Sequence, residues 1–102
     1  MAHYSLPGVN PAQMTVKQKL QEMLYNLAVP ESASKTILDY AIPLMDAEIK
    51  EKVGYQITWD SFHNDYPNVL YGIFFNMLKP HVYQWGQENL PQAWWLPVFQ
   101  PN

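Results

Sequence analysis

Three side chains that could bind a metal ion lie close together in the sequence: Asp60, His63 and Asp65. Carboxylate and imidazole groups are common metal ligands, and the spacing of Asp60 and His63 would place both on one face of a helix. The chain has no second pair of this kind, such as two histidines one helical turn apart. Asp65 is also well placed to cap a following helix. We therefore expect no metal ion here and a structural role for these residues.

Residues for nucleophilic or acid–base catalysis are present but are not arranged for it. Ser61 is two positions from His63, and side chains at that spacing on a helix point in different directions. Asp39 and Asp46 could serve as a carboxylate pair, although nothing distinguishes them from ordinary surface acids. The four glycines of the chain do not form a phosphate-binding loop. The sequence predicts a protein that is not an enzyme and binds no cofactor.

The charge of the chain argues against nucleic-acid binding. The net charge is −3, and all six basic residues are lysines, whereas arginine provides most bidentate contacts to bases and phosphates. A helix-turn-helix around Pro30 is conceivable, but its recognition helix would carry Lys35 beside the acidic Glu31 and Asp39. DNA binding is thus the least supported of the functions considered, and we expect no nucleic-acid partner.

Composition also bears on the compartment. The chain has no cysteine, which fits a reducing environment. Its first residues lack the basic start and long apolar run of a signal peptide, and the apolar stretch 69–78 is too short to span a bilayer. We expect a cytoplasmic protein without a membrane partner.

The spacing of apolar residues predicts an all-α fold. We expect a small irregular bundle of three to five helices joined by proline-marked turns. Residues 1–14 contain Pro7, Gly8 and Pro11 and are predicted to form an extended N-terminal arm. Residues 15–102 are predicted to form a single helical domain that includes a packed, aromatic C-terminal tail.

The clearest boundary is the start of the first helix. Thr15 and Gln18 match a capping box, which predicts a helix over residues 16–28. Pro30 should end that helix and open the second, and Gly54 should end the second.

Two prolines fall inside apolar helical patterns. Pro43 predicts a kink or two abutting helices, and Pro80 predicts the end or a kink of the third helix. The alternating residues 55–59 are predicted to be a linker, and a short helical turn is expected over residues 59–63. The third helix should begin at Pro67. Its predicted core stripe comprises Val69, Leu70, Ile73, Phe74, Met77 and Leu78.

Aromatic residues offer the best functional lead, because they make up 15% of the chain and cannot all face one small core. Trp and Tyr often anchor protein interfaces, so the leading hypothesis is a non-enzymatic protein-binding domain: a small regulator, inhibitor or assembly partner. Its partner would be another protein or a second copy of the chain. Six residues are predicted to bind it: Tyr71, Phe75, Trp85, Trp94, Trp95 and Phe99.

Two other interpretations of the aromatic residues remain open. The C-terminal tail could simply fold back and fill the core of an undersized domain. Alternatively, the domain could bind a small ligand in an apolar pocket lined by Tyr71, Phe75, Trp85 and Met77.

Overall fold

The computed structural model describes residues 6–101 and, within them, confirms a helical fold. These residues form three α-helices and no β-strand. The helices are α1 (Val16–Asn26), α2 (Glu31–Val53) and α3 (Asn68–Asn89). Short 3₁₀ turns occupy Pro11–Gln13, His63–Asp65 and Leu96–Phe99. Residues 1–5 of the predicted arm and Asn102 of the predicted domain lie outside the described part of the chain.

The predicted capping box at the start of α1 is confirmed. The Thr15 hydroxyl accepts a hydrogen bond from the Gln18 amide at 3.1 Å, and the Gln18 side chain accepts one from the Thr15 amide at 3.0 Å. Two amide donors at the helix terminus are thereby satisfied by local sequence alone.

The end of α1 comes earlier than predicted, at Asn26 instead of Ala28. Ala28 has a positive φ of 72°, and its amide donates to the carbonyl of Tyr25 at 3.0 Å. The Val29 amide reaches the carbonyl of Leu24 at 3.1 Å, and both of these side chains are buried. This is a Schellman motif, with alanine at the position that glycine usually occupies.

Both prolines lie inside continuous helices. Helix α2 runs through Pro43 and helix α3 runs through Pro80, so two abutting helices at Pro43 and a helix end at Pro80 are wrong, and a kink at each proline stays a prediction. Both prolines are exposed, so water can replace the backbone donor that each one lacks. Gly54 ends α2 as predicted, with a φ of 66° and its amide bonded to the carbonyl of Lys50.

The linker between α2 and α3 has a turn at residues 58–61, where the Ser61 amide donates to the Thr58 carbonyl at 3.1 Å, and a 3₁₀ turn at residues 63–65. The single helical turn predicted over residues 59–63 is therefore replaced by two separate turns. Asp65 belongs to the second of these turns, and the cap position of α3 is Pro67, so the predicted capping role of Asp65 is wrong. The linker pairs with the segment before α1: the His63 amide donates to the carbonyl of Met14 at 2.9 Å.

Helix α3 buries part of its predicted core stripe: Phe74 and Leu78 are buried, and Leu70 and Met77 are half-buried. Val69 and Ile73 from that stripe are instead 69% and 50% exposed. Apolar residues surround most of α3, so periodicity alone cannot select its buried face. The observed face adds the rings of Tyr71 and Phe75 to that of Phe74, and these rings remove more apolar area from water than Val69 and Ile73 would. The buried residues of α3 are Tyr71, Phe74, Phe75, Leu78, Val82 and Gly86.

The C-terminal tail packs over α3 as a single 3₁₀ turn. Trp95, Leu96 and Phe99 are buried, and the Phe99 ring lies 6.4 Å from the ring of Phe75. The tail therefore completes the core at one end of α3.

Candidate functional site

The two acids considered for catalysis have structural partners. Lys17 Nζ lies 2.5 Å from a carboxylate oxygen of Asp39, and its hydrogen bond holds the pKa of that carboxyl below its usual value. Asp46 accepts a hydrogen bond from the indole Nε1 of Trp59 at 3.1 Å. These contacts tie α2 to α1 and to the linker.

The Asp60, His63 and Asp65 group does not converge into a metal site. In the part of the chain that the structure describes, no three His, Cys, Asp or Glu side chains are placed to hold an ion. His63 contributes its backbone instead, because its carbonyl accepts a hydrogen bond from the Tyr71 hydroxyl at 2.7 Å. This bond joins the linker to the buried face of α3.

The six aromatic residues predicted to bind a partner divide between core and surface. Trp95 is 2% exposed and Trp94 is 75% exposed, although they are adjacent in sequence. Trp85 is half-buried. The other three, Tyr71, Phe75 and Phe99, are buried. The tail thus fills the core through Trp95 and Phe99 while it presents Trp94 on the outside.

An apolar stripe lies on the outer face of α3, and we call it the α3 stripe: Val69, Ile73, Met77 and Pro80. Its members are three or four positions apart, so they follow one face of the helix. Met77 is half-buried, and the other three are exposed. Beside the stripe, Ile73, Met77 and Pro80 line a shallow depression of about 430 Å³ that Glu48 of α2 borders.

A larger groove of about 650 Å³ separates α1 from α3 on the other side of the stripe. We call it the α1–α3 groove. It is lined by Lys19, Glu22, Met23, Asn26 and Leu27 of α1 and by Asn68, Tyr71, Gly72 and Phe75 of α3.

The α1–α3 groove overlaps only partly with the pocket predicted from the sequence. Tyr71 and Phe75 line it, whereas Met77 lines the depression beside the α3 stripe and Trp85 is not among the groove residues. Sequence reasoning missed the contributions of Met23 and Gly72. The available signal was Gly72 itself, because a glycine inside an apolar helix costs stability relative to alanine.

Comparison with known proteins finds no significant match for this chain. The fold and its surfaces define a small all-helical domain with an apolar stripe and an apolar groove. The chain matches no protein-family model, and no curated protein or solved structure is significantly similar to it.

Among residues 6–101, no helix combines the length and the apolar character needed to cross a bilayer.

Proposed function

We propose that this protein is a non-enzymatic protein-binding domain, a small regulator, inhibitor or assembly partner that covers an apolar surface of another protein or of a second copy. The observation that carries the proposal is the α3 stripe. Val69 and Ile73 leave large aliphatic side chains 69% and 50% exposed on adjacent turns of one helix.

Leaving this stripe in water carries a free-energy cost. Full burial of an aliphatic side chain of this size is worth about 1.5–3 kcal/mol. A helix face with apolar residues at this spacing fits an apolar groove or a complementary helix of a partner. Contact with such a surface would remove Val69 and Ile73 from water without any change in the core.

Trp94 is a second candidate contact residue. It is one of the six aromatic residues that the sequence predicts to bind a partner. It is 75% exposed, and the buried side chain of the adjacent Trp95 fixes the segment that carries it. A tryptophan has only two side-chain torsions to fix on binding, and it is enriched among the residues that dominate interface energies. The contacts of Asp39 and Asp46 described above also support a function other than catalysis.

The test compares stripe variants with a matched surface variant. Val69→Ser with Ile73→Ser removes two of the four apolar side chains of the α3 stripe. Val53→Ser is the control, because Val53 is 70% exposed at the end of α2. Trp94→Ala tests the second contact residue separately.

The measurements are the solution mass by light scattering across a dilution series and the capture of proteins on immobilised chain. We expect self-association or capture of one protein, weakened at least about tenfold by the stripe variant, a loss of about 1.4 kcal/mol. Val53→Ser should leave it unchanged, and circular dichroism should show all variants folded. A chain that stays monomeric and captures nothing, or whose capture ignores the stripe variant, would contradict the proposal.

A further inference from the structure

We infer that the α1–α3 groove is a binding site for an uncharged, mostly apolar small molecule. This site goes beyond the proposed protein-binding function and uses a different surface. Its α3 wall contains Tyr71, Gly72 and Phe75, whereas the α3 stripe follows Val69 and Ile73 on the neighbouring helix face.

The size and lining of the groove fit such a ligand. A volume of about 650 Å³ lies within the range of small-molecule sites, about 300–1,000 Å³. Its apolar lining comes from Met23 and Leu27 on one side and from Tyr71 and Phe75 on the other, where the two residues form the wall with only 3% and 8% of their surface exposed. Methionine and aromatic side chains provide adaptable, polarisable contacts for an apolar or aromatic ligand.

Gly72 provides an independent observation about this groove. It lies inside α3, where glycine is unfavourable compared with alanine. A Cβ built on it would meet no atom within 4 Å, so packing within the chain does not require glycine. The missing side chain instead widens the groove and exposes the helix backbone to whatever occupies it.

The charges at the rim favour a neutral ligand. Lys19 Nζ lies 3.2 Å from Glu22 Oε1, and the Glu22 side chain is only 12% exposed, so the two charges neutralise each other. The other polar side chains of the lining are the amides of Asn26 and Asn68. A charged ligand would have to compete with this ion pair, and the net charge of −3 further disfavours an anion.

Contacts within the chain hold the side chains of Tyr71 and Phe75, which form the α3 wall of the groove, in place. The Tyr71 hydroxyl donates to the carbonyl of His63 at 2.7 Å. Phe75 packs against Phe99, with Lys79 Nζ lying 5.7 Å from the centre of its ring. Because these side chains already have their partners, binding does not have to order them, which favours affinity.

The experiment uses two dyes that differ in one charged group. Phenylnaphthylamine is neutral, and anilinonaphthalenesulfonate is its sulfonated, anionic counterpart. Each is titrated into the whole chain and into three variants, with binding followed by dye fluorescence. Gly72→Leu fills the groove, Ala47→Leu adds a similar apolar side chain on the exposed surface of α2, and Ile73→Ser alters only the α3 stripe.

We expect the neutral dye to bind at one saturable site, at least about tenfold more tightly than the anionic dye, a difference of about 1.4 kcal/mol. Gly72→Leu should weaken it at least tenfold, while Ala47→Leu and Ile73→Ser leave it unchanged. Absence of saturable binding, equal binding of the two dyes, or insensitivity to Gly72→Leu would overturn the inference. Loss of dye binding in Ile73→Ser would also overturn it, because the dye would then report the α3 stripe. The protein-binding proposal is decided separately by its own variants.

Discussion

Helix α3 contains two glycines, about four turns apart, whose surroundings are opposite. A Cβ built on Gly86 would lie 3.3 Å from Leu96 Cγ and closer still to one of its methyl groups, whereas a Cβ on Gly72 would meet nothing within 4 Å. Gly86 is buried and Gly72 is exposed. At Gly86 the missing side chain makes room for Leu96, whereas at Gly72 it leaves open space.

The two glycines therefore mark two kinds of gap beside α3: one that another residue of the chain fills and one that stays open. At Gly86 the C-terminal tail returns and inserts Leu96, so the glycine is explained within the fold. At Gly72 no segment of residues 6–101 returns, and the α1–α3 groove remains. The comparison makes Gly86 a structural residue and Gly72 a candidate functional one, and substitutions at and around each can test this.

The largest effect is expected for Gly86→Ala. Its new methyl group would collide with Leu96, and overpacking of this kind costs about 1–3 kcal/mol. The free energy of unfolding, measured by chemical denaturation, should fall although alanine is the better helix former. Leu96 and the tail should become more accessible to hydrogen exchange.

A double-mutant cycle tests whether that loss comes from the Leu96 contact. Leu96→Ala alone should destabilise the protein by leaving a cavity. Combined with Gly86→Ala it should cost less than the sum of the two single changes, because the smaller side chain makes room for the new methyl group. Strict additivity would contradict the proposed role of Gly86.

Tyr71→Phe is expected to have the next largest effect, at the Gly72 end of α3. The change removes the hydroxyl that donates to the His63 carbonyl at 2.7 Å. The loss of one such hydrogen bond typically costs about 0.5–1.5 kcal/mol. Denaturation at neutral pH should show a loss in this range, with the helical circular dichroism retained.

The same variant has a pH signature. Burial raises the pKa of Tyr71 from 10.0 to about 12, with Tyr66 and Asp65 adding to the rise. The folded state then holds a proton that the unfolded state releases, so this contribution is complete below about pH 10 and is lost from there to about pH 12. Wild type should lose stability across this window more steeply than Tyr71→Phe. Parallel curves would show that the Tyr71 hydroxyl is not held in its neutral form.

The helix boundaries and the buried surfaces show what the sequence could and could not predict. The start of α1 was predictable because Thr15 and Gln18 satisfy each other within one turn. The buried face of α3 was only partly predictable: Phe74 and Leu78 are buried as expected, whereas Val69 and Ile73 are exposed. Apolar residues surround the helix, and the choice among them depends on α1, α2 and the tail. Gly86 depends on Leu96, which lies beyond the end of the helix, so no local pattern reveals it. The α1–α3 groove likewise exists only once both helices are in place.

Gly72→Ala is expected to stabilise the chain, in contrast to Gly86→Ala. Alanine is favoured over glycine inside a helix by about 0.5–1 kcal/mol, and there is open space for its methyl group. Denaturation should therefore show a gain of that size in the absence of ligand. A lower free energy of unfolding would mean that the added methyl group meets other atoms and that the groove is closed in solution. Gly72 would then resemble Gly86.

Ala28→Gly is the reverse exchange and is expected to have the smallest effect. Ala28 has a φ of 72°, a left-handed conformation that costs an L-residue about 1–2 kcal/mol. Glycine removes that strain but loses about 0.5–1 kcal/mol through the greater freedom of the unfolded chain. The net gain in the free energy of unfolding should be about 0.5 kcal/mol.

Ala28→Gly tests the backbone preference by itself, because Ala28 is exposed. Its effect on the free energy of unfolding therefore helps to interpret Gly72→Ala and Gly86→Ala. Backbone conformation alone favours glycine at Ala28 and alanine at Gly72, and at Gly86 the Leu96 contact reverses the backbone preference. If Ala28→Gly destabilised the protein, the entropic cost of glycine in the unfolded chain would exceed the strain of the left-handed alanine. The expected gain from Gly72→Ala would stand, because the same entropic cost favours alanine there.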